Sequence, residues 1–265
     1  MSNGGFIEFK NAPSTISASG VWSIREQLRY NRDEAWYRDI PDMPQGSLVL
    51  HLDANDPLSY SGSGSTWNDV SGNSNNGTLN NSPTFNTNYF TFNGTSQEVT
   101  TTTSFTSASS LTIFALFKTS SASGKKIIGF QNTQTGTTQS SYDRHLYVDT
   151  SGFLRFGMYD TATRMAISPF SVTDNTWRLA TATYGSEGTT MRLYINEASV
   201  ATATSSTSSY TGWWRIAGYA LSGWANGLAG YFPGDIAVAG AYHRALSSGE
   251  ITQIYNRYKN IYSLS

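Results

Sequence analysis

The sequence contains no cysteine, so neither a disulfide framework nor a thiolate metal site is open to it. Charge is scarce as well: 13% of the 265 residues are charged, and the formal net charge is −1. No long basic run occurs, which excludes a dedicated nucleic-acid binder, whose affinity comes from neutralising phosphates. No apolar run approaches the roughly 18 residues of a membrane span, so membrane insertion is not expected. The opening residues, MSNGGFIEFKNAP, lack the basic segment followed by an apolar stretch that marks a secretory signal. The expectation is a chain that folds in a cytoplasm, whatever surface it later occupies. Internal repeats of about 20–50 residues are also missing, which argues against a propeller or solenoid.

What is present divides into two parts. Hydrophobic residues make up 38% and aromatic residues 14%, enough to build a core. The first part, residues 1–45, reads as an N-terminal arm and docking helix. Gly4, Gly5 and Pro13 keep residues 1–19 extended. From Trp22 to Arg38, seven of seventeen residues are charged, far above the rest of the chain. Ile24, Leu28, Asn31 and Ala35 fall on one helical face there, with Trp22 and Trp36 at the ends. Arg25, Glu26, Arg29, Arg32 and Glu34 stand three and four residues apart, the spacing of helix-surface pairs. Pro41 and Pro44 end the segment, and MPQG reads as a linker.

Residues 46–265 form the second part, where the apolar period changes to two. Asn55 to Asn88 is a polar, turn-rich stretch, because Asn and Gly tolerate positive φ and Asn bonds back to nearby backbone. Strand candidates follow at short intervals, among them YFTFNG, QEVTTT, SLTIFALFKT, KKIIGFQ, RHLYVD, GFLRFGMYD, WRLATATY, TMRLYIN, WWRIAGYA and GDIAVAGAYHR. In FLRFGMY, Leu154, Phe156 and Met158 face one way, and Phe153, Arg155 and Tyr159 the other. About a dozen short strands joined by Gly- and Asn-rich turns indicate an all-β fold, a two-sheet antiparallel sandwich. Near the end, Ser247 stands three residues before Glu250, a capping box. Ile251, Ile254, Tyr255, Tyr258 and Tyr262 then recur at helical spacing, which predicts a short C-terminal helix packed on the sandwich.

Several of these stretches resemble a known family. LVLHLDANDPLSY, STWNDVSGNSNNGTL, FTFNGTSQEV and LTIFALFK look like the opening half of a laminin-G-like, concanavalin A-type jelly roll. WRLATATYGSEGTTMRLYINEASV resembles its paired strands, and GDIAVAGAYHRALSSGEITQIYN its closing strand and helix. The resemblance spans roughly residues 46–258 and implies a fold often used to bind glycans or other proteins. Where many relatives carry calcium-binding carboxylates, this chain has Asn93, the turn NEAS and Ala237. Asp53, Asp56 and Asp69 are the acids left to contribute to such a site, set against the reading that they are turn caps. No cofactor and no metal ligand set is assigned.

GVWSIREQLRYNRDEAW, residues 20–36, resembles a short motif at the start of structural proteins of marine and cyanobacterial tailed phages. It implies a virion protein that assembles in the host cytoplasm and ends on the particle surface. Trp22, Arg25, Glu26, Arg29, Arg32 and Trp36 are then the docking residues. The implied partners are other virion proteins and sister copies, for which a trimer would suit a tail fibre or a decoration site on a local threefold.

No strand candidate carries the E-x-D pair that glycosidases of this fold use as acid and nucleophile or base. His51, His145 and His243 are scattered and read as structural, and no metalloprotease motif, nucleophile elbow or phosphate loop occurs. The chain therefore reads as a non-catalytic host-adhesion protein. For glycan binding the richest stretch is residues 210–235, where rings stand among glycines. Sugars stack on aromatic faces while polar groups fix their orientation. The candidates are Trp213, Trp214, Arg215, Tyr219, Trp224 and Asn226. Alternation places Trp213 and Trp214 on opposite sheet faces, and Trp224, in a Gly-rich loop, is expected to be the most exposed ring. A head-decoration protein without a ligand and a carbohydrate-binding module unrelated to phage remain the alternatives.

Overall fold

The computed structural model describes residues 42–185 and 187–265. The expected docking helix, with Trp22, Arg25, Glu26, Arg29, Arg32 and Trp36, lies outside the described residues.

Seventeen strands follow one another among the described residues. They are β1 (Leu48–Asp53), β2 (Thr66–Trp67), β3 (Gly77–Asn80), β4 (Thr84–Phe85), β5 (Phe90–Asn93), β6 (Glu98–Thr101), β7 (Phe105–Thr106) and β8 (Leu111–Lys118). Then come β9 (Lys125–Gln131), β10 (Tyr142–Val148), β11 (Phe153–Tyr159), β12 (Thr163–Ser171), β13 (Arg178–Tyr184), β14 (Thr190–Ile195), β15 (Ala198–Thr204), β16 (Thr211–Ile216) and β17 (Pro233–Tyr242). The helix α1 (Ser248–Tyr262) closes the fold. One sheet runs β15-β14-β13-β8-β17-β5-β4, with β1 also paired to β17. The other runs β12-β11-β10-β9-β16-β6-β3-β2, with β7 paired to β16. All pairings are antiparallel, so the fold is the two-sheet jelly-roll sandwich that the period-two pattern predicts.

The core lies between the sheets. Ile113, Ala115 and Phe117 of β8 meet Ile128, Phe130, Leu146, Phe156 and Trp214 from the opposite sheet. Burying each such large side chain contributes on the order of 1.5–3 kcal/mol. The near-continuous apolar run of β8 has a specific cause: its other face, Phe114 and Leu116, is covered by α1. That helix starts as the capping box requires, with Ser247 Oγ accepting the Glu250 N–H and Glu250 Oε2 accepting the Ser247 N–H at 2.9 Å. It buries Ile251, Ile254, Tyr255, Tyr258 and Tyr262.

Two local readings are revised, and one strand lies where no strand candidate was named. MPQG is not a loose linker. Met43 is buried in the helix cluster, and Arg244 donates to the carbonyls of Gln45 and Gly46 while gripping Glu250. The strand β12, TRMAISPFS, carries no clear alternation and contains Pro169. A proline without an N–H survives in a strand at an edge, and β12 is the edge of its sheet, packed beside β15 of the other. The polar stretch 55–88 holds the short strands β2, β3 and β4, braced by side chains. Asp69 accepts the N–H groups of His51, Ser71 and Asn75, all at 2.8–2.9 Å.

Candidate functional site

The outer face of the second sheet is unusual in its chemistry. Strand alternation turns Gln131 of β9, His145 and Tyr147 of β10, Arg155 of β11 and Arg215 of β16 away from the core, and a register slip of β9 opposite Leu146 and Tyr147 brings Lys126 to the same side, yet all are buried. The cover is the segment 217–232, which folds back over the sheet. Its backbone is tied down at Leu228 N–H to Gly124 O (2.8 Å) and at Thr150 N–H to Asn226 O (3.0 Å). Tyr147 Oη donates to Ala225 O at 2.8 Å, and Lys125 Nζ to Ala229 O at 2.5 Å.

Each buried ion under this cover needs a partner, since an unpaired one would not remain charged there. Arg215 is wholly buried and forks onto the Glu98 carboxylate at 2.6–2.8 Å, with a further bond to Gly136 O. Arg155 donates to Asp149 at 2.7 Å. Lys126 donates to Gln131 Oε1 at 2.8 Å, and burial, then the nearby Arg215, pull its pKa well below that of a free amine. His145 is also fully buried, and neither ring nitrogen has a hydrogen-bond partner. Burial, followed by Lys126 and Arg144, holds its imidazole well below the usual range, so it stays neutral.

Two glycines make room for rings on this face. A Cβ on Gly129 would lie 2.0 Å from His145 Nδ1, and one on Gly157 would lie 2.4 Å from Trp224 Cζ3. Trp224 therefore rests on bare backbone, with His145 meeting it edge-on at 4.8 Å.

This arrangement overturns several expectations for the binding residues. Trp224, expected to be the most exposed ring, is 5% exposed. Arg215, expected to offer hydrogen bonds to a ligand, has its guanidinium committed to Glu98 and Gly136. Trp214 is a core residue, as alternation allows, and Trp213 is half-buried on the outer side. Tyr219 is half-buried against Tyr231, and Asn226 is exposed in a loop at φ +53°. The six do not converge on one surface.

A cavity of about 350 Å³ opens at one end of the same face. Ser140, Ser141, Tyr142, Asp143, Tyr159, Thr163, Ser208, Tyr210, Gly223 and Trp224 line it. Trp224 alone belongs to the expected set. Tyr159 closes β11 with its ring 47% exposed, and Tyr142 donates to Ser222 O at 2.6 Å. Asp143 accepts from Tyr210 Oη at 2.7 Å and from the Arg144 guanidinium. Burial pushes the Asp143 carboxyl up, against Arg144 and Tyr210, which favour its ionised form. The register of β10 slips beyond Asp143, where Arg144 adopts φ +54°. That irregularity lets two consecutive charged residues both turn from solvent and pair. Nothing in YDRHLY announces a bulge. The outward position of Tyr159 was readable from alternation, but not the cavity beside it.

A second cavity, about 560 Å³, lies where residues 42–48 meet His51, Asp56 and Arg257. Its walls are largely the entering chain itself. Among the described residues, no three His, Asp or Glu side chains gather as a metal site. Asp53 and Asp56 accept the N–H groups of Asn55 and Leu58, and Asp69 those named above, so all three cap turns.

Residues 92–252, more than half of the chain, match the family described as the concanavalin A-like lectin/glucanases superfamily. The chain belongs to that superfamily. No curated protein matches the sequence. Among solved structures, this superfamily member is similar to Trypanosoma rangeli sialidase in complex with 2,3-difluoro-KDN, at 16% identity and TM-score 0.59. The match covers 83% of this chain and 34% of the sialidase chain. It is also similar to the botulinum neurotoxin serotype G binding domain, at 13% identity and TM-score 0.53, covering 78% of this chain and 50% of that one. The chain thus spans about a third to a half of these structures' length, and at such identities the likeness is one of fold. In this concanavalin A-like domain the distinguishing feature is local: a covered outer face with one open cavity at its end.

Proposed function

We propose that this chain is a non-catalytic glycan-binding sandwich on a virion structural protein, with residues 1–45 as the docking element and the cavity beside Tyr159 as the sugar seat. The cavity carries the reading. It combines an exposed ring for stacking with hydroxyls and a fixed carboxylate for orientation, the composition of a carbohydrate site. Superfamily membership supports a lectin-like use, and so does the presence of a sialidase and a toxin binding domain among proteins of similar fold. Asp143 is the one carboxylate among the lining residues, whereas retaining and inverting glycosidases need two. That supports binding without hydrolysis. The virion assignment rests on the resemblance of GVWSIREQLRYNRDEAW to phage structural proteins.

The test is binding of the full-length protein to host cells and extracted host polysaccharide, beside Tyr159→Ala. Tyr159 is about half exposed, so the variant should fold and lose about fivefold in affinity, since an aromatic stacking contact is worth about 1 kcal/mol. Unchanged binding would remove the cavity from the proposal, and absence of binding by the parent protein would leave a purely structural role in the shell. Deleting residues 1–41, which leaves the clasp at 42–46 in place, should abolish incorporation into particles; normal incorporation refutes the docking role.

A further inference from the structure

The geometry points to a cavity that takes uncharged sugars and rejects those carrying a carboxylate or sulfate. This inference rests on the glycan-binding reading above and goes on to name the ligand class. No Lys, Arg or His is among the described residues that line the cavity. Charged sugars are recognised by charge-assisted donors, above all the fork of an arginine, and the two arginines adjacent to lining residues are each paired with an acid. Arg144 is 1% exposed, with its terminal nitrogens committed to Asp143, Thr207 Oγ1 and Ser208 O. Arg164, next to the lining residue Thr163, is bound to the Asp160 carboxylate at 3.2 Å. Beneath the floor, Lys126 and His145 are fully buried, and Trp224 lies edge-to-face against His145.

The acids of these pairs are matched in turn by their arginines, and Asp143 is the carboxylate among the described lining residues. An acidic sugar placed here would lose the hydration of its charge beside Asp143 with no cation among the described lining residues to offset it, and that cost is what disfavours it. A neutral sugar is suited to the same walls. Its hydroxyls donate to Asp143 and exchange hydrogen bonds with Ser140, Ser141 and Ser208, and its C–H face lies on Tyr159. At about 350 Å³ the space is near the low end for ligand pockets, which limits the seat to roughly one or two rings.

The experiment is a printed array of paired neutral and acidic oligosaccharides, such as lactose with sialyllactose and glucosides with glucuronides, probed with the full-length protein. Calorimetry on the best pairs then gives relative affinities, with Tyr159→Ala and Asp143→Asn alongside. Neutral members should bind at least about tenfold more tightly than their acidic partners, a difference of about 1.4 kcal/mol. Tyr159→Ala should lose that binding, and Asp143→Asn should narrow the gap. Equal or tighter binding of the acidic members overturns the selectivity while leaving glycan binding in place. Silence across the whole array overturns both, and the Asp143→Asn arm is read only if its melting curve shows a folded protein.

Discussion

Both outer faces of this sandwich are covered, but by opposite means. Over the first sheet, α1 brings its own apolar stripe, and rings and aliphatic chains interlock with Phe114, Leu116, Leu179 and Tyr242. A polar thread runs through that contact: His51 Nε2 lies 2.8 Å from Tyr258 Oη, which donates to Asp53 at 3.1 Å. Over the second sheet, the irregular segment 217–232 offers Leu221 and Trp224 as its apolar anchors. What it covers is ionic, and each charge is matched locally. A helix with a matching stripe covers its face with apolar contacts and leaves space at the margin, where the entering chain meets His51 and Arg257. A loop closes its face piecewise and leaves the unpartnered ring nitrogens of His145 beneath it and an open cavity at its end. The proposed ligand site belongs to the loop-covered side.

The largest test of this contrast is Arg215→Ala. Removing one partner from a wholly buried pair strands Glu98, at a cost of about 3–5 kcal/mol, with a matching fall in denaturation midpoint. A loss below about 1 kcal/mol would mean the loop-covered face is wetter than described. On the helix side, Tyr258→Phe keeps the ring in its packing and deletes the hydroxyl between His51 and Asp53. The expected cost is smaller, about 1–3 kcal/mol, read by the same denaturation curve. A larger effect there than for Arg215→Ala would reverse the comparison.

Acid gives the finest distinction, because each face buries one histidine. Burial lowers the His51 imidazole to about 3, and His145 is lowered well below its ordinary value. The unfolded chain takes up both protons near pH 6.5, while the folded chain does not. Stability is therefore retained above that pH and falls below it, by up to about 1.4 kcal/mol per pH unit for each histidine. For His51 the decline continues towards its folded pKa near 3. His145→Leu should reduce the slope between pH 6.5 and 5 to the part left by His51 and by His243, which burial also lowers, and should not lower stability at pH 7, since it removes a buried polar group without partners. An unchanged slope would show that His145 is hydrated.

Much of this architecture was legible because it rests on period and local chemistry. Alternation separated Trp214 from Trp213 and set Tyr159 outward, and the Ser247–Glu250 spacing located the helix start. The site was less legible, for physical reasons. A ring in a Gly-rich loop reads as exposed, but burial of Trp224 depends on Gly157, a residue 67 positions earlier that leaves the ring a flat seat. Arg215 reads as a free donor until Glu98 is found across the β6–β16 ladder. The cavity itself depends on a one-residue irregularity beside Arg144, which has no sequence signature. Long-range pairing decides such positions, and a pattern along the chain does not carry it.

The clasp at residues 42–46 has a mechanical consequence. A pull from the amino-terminal side meets a chain held first at Asp42 by Gln253, then at Pro44, Gln45 and Gly46 by Tyr242 and Arg244, before it enters β1. β1 lies antiparallel on β17, with Leu50 to Asp53 opposite Ala241 to Val238. Antiparallel hydrogen bonds run across the strands, so tension along β1 is resisted by several of them together and not one at a time. A load reaching this sandwich from its amino-terminal side is thus borne in shear by its first and last strands, and the sheet bearing the cavity lies outside that path.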